Sequence, residues 1–323
     1  MNMFFESALQ GKTQFWRYLV LFLAAFLASN TIGAIPLLIV IAAAMAKDPG
    51  ILENAGTNIA DLSVYGIEPN VGLLLMIFPF VIGLLAVFLL IKPLNSRSFT
   101  SVINGTGAIR WKRFFTSFGI WAMIMAIYLF ISLKLDPSNF TLNNTSVSLL
   151  LLAFISVCLV PFQTTFEEVL FRGYLMQGIG SWTRSKWMPL VITSLLFALM
   201  HSFNPEVKEF GFLLMLPQYL IFGLVFGIIT VVDDGIELAM GAHAANNVFL
   251  SIFLTQKASA LQTAALYEQQ EVFPLADLVS LAVIGFLFVI LLSVLYKWNW
   301  KDMFKYKKEA GAQRPEVVDV QIP

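Results

Sequence analysis

The feature that most limits what this chain can become is the recurrence of apolar runs about as long as a bilayer is thick. Crossing the hydrocarbon core as a helix takes roughly 20 apolar residues. Such runs lie at Phe15 to Ala46, Val71 to Ile91, Phe114 to Leu133, Ser146 to Met176, Trp187 to Phe203, Phe212 to Val232, Ile236 to Leu254 and Leu278 to Tyr296. Hydrocarbon offers no water to the backbone, so each run satisfies its own hydrogen bonds as a helix. The spacing predicts an all-α, polytopic membrane bundle of about eight transmembrane helices. Composition agrees, with 58% hydrophobic and 12% charged residues, the profile of a membrane protein rather than a soluble enzyme. A formal net charge of zero leaves no broad basic surface for nucleic acid. The one cysteine, Cys158, excludes an internal disulfide and a multi-cysteine metal site. Its place in an apolar run reads as a small buried residue.

Charge between the runs sets the expected orientation, because Lys and Arg accumulate on the cytoplasmic side. Basic residues gather at Lys12 and Arg17, at Lys92, Arg97, Arg110, Lys112 and Arg113, at Arg184 and Lys186, and in the tail at Lys297, Lys301, Lys305, Lys307 and Lys308. The alternate connections are mainly acidic, with Asp48, Glu53, Asp61 and Glu68, then Asp136, then Glu206 and Glu209, then Glu268, Glu271 and Asp277. The expectation is a multi-pass protein of the cell membrane with both termini cytoplasmic. One turn, Asp233-Asp234-Gly235, is acidic on the predicted cytoplasmic side. Arg110, Lys112 and Arg113 read as topology determinants facing acidic lipid head groups. The apolar stretch after Lys12 and Arg17 is too long for a signal-peptide core and reads as a membrane helix.

Against this background Glu167-Glu168-Val169-Leu170-Phe171-Arg172 stands out. A charged side chain deep in a bilayer costs roughly a few kcal/mol or more unless paired or facing a polar cavity, so an intramembrane cluster marks a functional site. On a helix Glu168 and Arg172 are i and i+4 and can pair, while Glu167 is turned about 100° away. One carboxylate is held and the other is free for chemistry. Both histidines of the chain, His201 and His243, also fall inside apolar runs. Glu168 precedes Arg184 by 16 residues and His201 follows it by 17, so in an antiparallel pair both reach roughly 25 Å from the turn. Gly178, Gly180 and Ser181 are read as part of that connection. His243 and Asn247 are i and i+4 on one face of a later run.

A carboxylate and an imidazole can together deprotonate water, and burial raises a carboxylate's pKa toward the range where a general base works best. A second imidazole and an Asn amide can donate hydrogen bonds to an oxyanion, a contribution often worth about 3 kcal/mol per donor. That is a sufficient kit for amide hydrolysis without a covalent intermediate. No serine sits in a nucleophile elbow and no H-E-x-x-H is present. Two His and a Glu are also acceptable zinc ligands, and nothing in the spacing requires the metal. Asn246 is the alternative to Asn247 for a rotated helix, and Gln163 and Thr164 are placed to line the cavity.

Glu167-Glu168-x-x-x-Arg172, Phe197-x-x-x-His201 and His243-x-x-x-Asn247 resemble, in order and spacing, the motifs of the CPBP family. That family is also called the Abi or CAAX protease self-immunity family, and its eukaryotic member is the type 2 CAAX prenyl endopeptidase. The resemblance covers roughly Ser146 to Phe253. It implies an intramembrane endopeptidase acting on a membrane-associated protein or peptide, lipidated or not, with the lipid bilayer as its surroundings. By the resemblance Glu167 is the general base, His201 helps activate water, His243 and Asn247 form the oxyanion site, and Glu168 with Arg172 is a structural pair. Members are described both as metalloproteases and as metal-free glutamate proteases. A His and an Asn spaced for an oxyanion fit the second, so no cofactor is required on this reading. A bound divalent metal such as zinc would take Glu167, His201 and His243. The alternative is a non-catalytic immunity or scaffold protein of the same fold that binds peptides. A transporter would show repeated halves with broken helices in corresponding positions, and no such repetition is present. The chain thus divides into N-terminal transmembrane helices (1–145), a catalytic core (146–254), a final helix with its basic flank (255–308) and a tail (309–323) expected to be disordered and cytoplasmic.

Overall fold

The computed structural model describes residues 3–51 and 62–303. The expected tail, 309–323, lies outside the described residues, as do Glu53, Asp61, Lys305, Lys307 and Lys308. The architecture is an all-α polytopic bundle. In chain order it holds α1 (Met3–Leu9), α2 (Phe15–Asn30), α3 (Ile35–Lys47), α4 (Pro69–Asn95), α5 (Trp111–Leu135), α6 (Val147–Thr183), α7 (Trp187–Met200), α8 (Pro205–Phe210), α9 (Phe212–Asp233), α10 (Glu237–Phe253) and α11 (Pro274–Tyr296). Among the described residues, six helical stretches are long and apolar enough to cross a membrane: α2 with α3, then α4, α5, α6, α9 and α11.

The two remaining expected spans are shorter. Helix α7 has 14 residues and α10 has 17, and they carry His201 and His243. Helix α10 is buried along nearly its whole length, because it runs through the middle of the bundle against α5, α6 and α9. Its small residues permit this: a Cβ on Gly241 would run into the Phe114 backbone of α5, so the two helices touch through backbone at that point. Close approach through small residues is how helices gain packing where lipid removes the hydrophobic drive.

The first expected span is broken at Thr31–Ala34, with Pro36 in the first turn of α3. Gly33 fits there because Pro79 of α4 packs against it. Gly178, Gly180 and Ser181 belong to α6, not to the connection. The rings of Tyr18 and Phe5 lie where their Cβ atoms would be, so these glycines serve helix packing. Helix α6 continues as α-helix through Pro161. Its irregularity is a π-helical segment, Val169–Leu175, beginning directly after Glu168; such segments concentrate at functional sites. Cys158, expected to be buried, is exposed on the outer face of α6 beside the equally exposed Phe154 and Val157.

The two ends of the bundle differ. At one end three short strands not anticipated from the sequence, β1 (Phe140–Leu142), β2 (Leu254–Thr255) and β3 (Tyr267–Gln269), pair in the order β1-β3-β2. They tie together the acidic connections. At the other end the acidic turn that breaks the charge pattern is the anchor of the basic segments. Arg110 bonds Glu237 (2.5 Å) and lies 3.2 Å from Asp233, while Arg113 bonds Asp233 at 2.6 Å. Trp298 Nε1 donates to Asp233 Oδ1 at 3.1 Å. Arg110 and Arg113 therefore serve internal carboxylates, correcting their reading as lipid contacts. Asp234 accepts the backbone N–H groups of Met3 and Phe4, both at 2.9 Å, which fixes α1. Burial lifts the Asp234 carboxyl above the usual range, and those two N–H groups pull it partly back. Residues 3 and 298 thus lie at the same end of the bundle.

Candidate active site

Glu167 and Glu168 end the regular part of α6, held there by the packing of α4: Gly83 leaves room for the Phe166 ring, whose atoms lie 2.7 Å from where a Cβ would stand. Glu168 and Arg172 are both fully buried and bonded at 2.8 Å between Oε1 and Nη1. The same Oε1 faces His243 Nδ1 at 2.7 Å. Glu168 therefore joins α6 to α10, a link the sequence reading, which saw only the pair with Arg172, did not contain. The Arg172 Cζ lies 4.0 Å from the centre of the Phe197 ring and 5.7 Å from that of Phe226. Among the described residues its Nε and Nη2 have no hydrogen-bond acceptor, and the aromatic faces stabilise the cation instead.

Glu167 is 8% exposed. Its Oε2 lies 3.8 Å from His201 Nε2 and 3.9 Å from His243 Nε2, beyond direct hydrogen bonding. That oxygen is buried and, among the described residues, has no hydrogen-bond partner. The other nitrogen of each imidazole is engaged: His201 Nδ1 faces the Phe197 carbonyl at 2.7 Å, and His243 Nδ1 faces Glu168. A carbonyl and an ionised carboxylate only accept, so each Nδ1 carries hydrogen and each Nε2 is turned toward Glu167. The Phe197 ring contacts both imidazoles, its centre 4.5 Å from that of His201 and 6.0 Å from that of His243. The phenylalanine of the Phe197-x-x-x-His201 spacing thus supports both histidines and Arg172.

His201 caps the end of α7, and Tyr219 of α9 stacks on its ring at 4.4 Å. The Tyr219 hydroxyl donates to Glu206 at 2.5 Å and accepts from Asn204 at 3.0 Å. Nothing in the sequence marked Tyr219 or Phe226, which sit in apolar runs without a polar pattern. Asn247 lies one turn beyond His243 on α10, and its Oδ1 accepts from Asn246 Nδ2 at 3.1 Å. Asn246 in turn accepts from Trp121 Nε1 at 3.2 Å. Gln163 has a buried Oε1 without a partner among the described residues, and Thr164 returns its hydroxyl to the Pro161 carbonyl at 3.3 Å. The fold thus draws Glu167, Glu168, Arg172, His201 and His243 into one cluster, while Asn247, one turn along α10 from His243, bonds its neighbour Asn246.

Glu167, His201 and His243 are chemically suited to zinc. Ligand atoms around tetrahedral zinc stand about 3.4 Å apart, given bonds of about 2.1 Å, closer than the separations here. Among the described residues no group of three or more His, Cys, Asp or Glu is arranged to hold a metal ion. As they stand these three donors are spread wider than around a bound zinc, and no step below is routed through a metal.

These features define a class: a polytopic helical membrane protein with a buried carboxylate facing two oriented imidazoles. Residues 145–249 match the family described as type II CAAX prenyl endopeptidase Rce1-like. Uncharacterized protein YyaK of Bacillus subtilis (strain 168) is 31% identical over 261 residues, which span 80% of this chain and 84% of that protein. No solved structure matches. The chain belongs to the CPBP family of type II CAAX prenyl endopeptidase-like membrane proteins. Membership narrows its function to that of a CAAX-type intramembrane protease or a related immunity protein.

Proposed function

We propose that the chain is an intramembrane endopeptidase hydrolysing a peptide bond of a membrane-associated protein or peptide, lipidated or not. The observation that carries this reading is the unpartnered, buried Oε2 of Glu167 facing two Nε2 atoms at 3.8 and 3.9 Å. A water hydrogen-bonded at about 2.8 Å to both Glu167 Oε2 and His201 Nε2 would bridge the two atoms. Glu167 takes its proton as general base while His201 Nε2 accepts the second hydrogen bond and orients the lone pair. The resulting oxyanion needs donors. His243 donates from Nε2 only as the imidazolium, since Nδ1–H is committed to Glu168. The Asn247 amide supplies a second donor, and Glu167 returns its proton to the leaving amine. We place the basic end of the bundle in the cytoplasm, following the Lys and Arg bias.

The test is cleavage of a membrane-embedded and lipidated peptide library by purified protein, comparing wild type with Glu167→Ala and running a chelator in parallel. Cleavage that disappears with Glu167→Ala and persists in chelator supports the reading. Loss in chelator would assign the reaction to a metal, and a wild type that binds peptides but cuts none would make this an immunity or scaffold protein.

A further inference from the structure

Successive side chains on a helix point about 100° apart, so Asn246 and Asn247 face different surroundings. Asn246 faces α5, where Trp121 Nε1 donates to its Oδ1 at 3.2 Å. Asn246 Nδ2 donates in turn to Asn247 Oδ1 at 3.1 Å. The direction of this chain is forced by chemistry. An indole N–H donates and never accepts, so the Asn246 atom that meets it is the carbonyl oxygen. The Asn246 NH2 is thereby turned to Asn247, which meets it with its own oxygen. The remaining end of the Asn247 amide is NH2.

That outcome matters because the two ends of an amide are nearly equal in size and opposite in polarity. An NH2 group stabilises a developing oxyanion and a carbonyl oxygen repels it. Nothing in the shape of a pocket chooses between them, whereas a donor-only group two links away does. The indole is itself held firmly: Trp121 is 1% exposed, and its ring meets Phe288 edge-on at 4.8 Å and Phe226 at 5.9 Å.

We propose that Trp121 is a positioning residue. Through Asn246 it fixes the rotation of the Asn247 amide so that Asn247 presents a hydrogen-bond donor to the carbonyl oxygen of the scissile bond. This rests on the endopeptidase reading and extends it to a helix outside the residues matched by the family model, 145–249.

The test uses the full chain in detergent with a peptide that wild type cleaves. Asn246→Asp keeps an acceptor for Trp121 but presents Asn247 with a second acceptor, so the Asn247 amide turns over. Its kcat is expected to fall about 100-fold, the effect of losing one oxyanion donor, with KM within about twofold. Trp121→Phe keeps the ring packing and lowers kcat about tenfold, a part of that same donor effect. In an Asn247→Ala background Trp121→Phe has no further effect on kcat. An equal loss in that background, or a change confined to KM, overturns the proposal. If Trp121→Phe does not fold, Asn246→Asp alone decides by the same kcat and KM criterion. The hydrogen bond itself is read without catalysis in protein labelled with 15N-tryptophan. The indole proton of Trp121, assigned by its absence in Trp121→Phe, is expected downfield and moves upfield in Asn246→Leu. An unmoved resonance overturns the relay even in an active protease. A wild type with the resonance shift but no cleavage overturns the endopeptidase reading instead.

Discussion

In an Arg172→Met variant the side chain keeps its length and most of its apolar bulk but loses the guanidinium paired with Glu168. Both partners are fully buried and 2.8 Å apart. At an effective dielectric near 20 that separation corresponds to an attraction of about 6 kcal/mol, most of it offset by the cost of bringing both charges out of water. The variant retains the desolvation of Glu168 without its main partner. Among the described residues Glu168 Oε2 already lacks a hydrogen bond, which leaves His243 to compensate. Removing one member of a buried pair typically destabilises by about 3–5 kcal/mol, and the His243 contact places the expected loss near the lower end. The double variant Glu168→Gln, Arg172→Met removes both charges and keeps an acceptor for His243 Nδ1, so it is expected to recover most of the loss. The assay is unfolding in mixed micelles by SDS titration, followed by tryptophan fluorescence. A single variant less than about 1 kcal/mol below wild type, the range of an exposed pair, would refute the reasoning. So would a double variant no better than the single one.

Other perturbations test separate parts of the structure. Gly83→Val pushes against Phe166, whose ring atoms lie 2.7 Å from the new Cβ. Overpacking of this kind costs about 1–3 kcal/mol, and peptide cleavage should fall with it because Glu167 follows Phe166; an unchanged melting temperature would show that α4 is free to move away. Asp234→Ala removes the acceptor of two N–H groups at the start of α1 and should cost about 1 kcal/mol, as for a lost helix cap, with faster hydrogen exchange confined to residues 3–9. Exchange unchanged there would mean that Phe4 and Phe5 packing alone holds the helix. Glu167→Gln removes a buried charge without a hydrogen-bond partner on Oε2, so its stability should match or exceed wild type while cleavage is lost. A destabilised variant would give Glu167 a structural role.

Much of the site could be read from spacing because helices convert sequence intervals into shared faces. The i, i+4 relation of Glu168 and Arg172 is a bond in the structure, and both histidines of the chain reach Glu167 from separate helices. Relations between helices were not legible. The contact of His243 with Glu168, the stacking of Tyr219 on His201, and the pairing of Arg110 and Arg113 with Asp233 and Glu237 all depend on which helix faces which. Local pattern carries no such information, and Tyr219 in particular lies in a run that reads as plain membrane helix. The exposure of Cys158 escaped for the same reason: in a membrane, an apolar run is equally suited to lipid and to core.

The sequence by itself determined the polytopic helical class, because hydrocarbon requires long apolar runs to bond internally, and it singled out the ionisable residues that such an environment tolerates only at special sites. Tertiary structure alone decided the rest. It put α10 in the middle of the bundle, it turned the Nε2 of both histidines toward one carboxylate, and it set the Asn247 amide through a tryptophan from α5. Each of these is a matter of rotation and depth of one helix against another, settled by where glycines and alanines let backbones touch and by which buried polar atoms find partners.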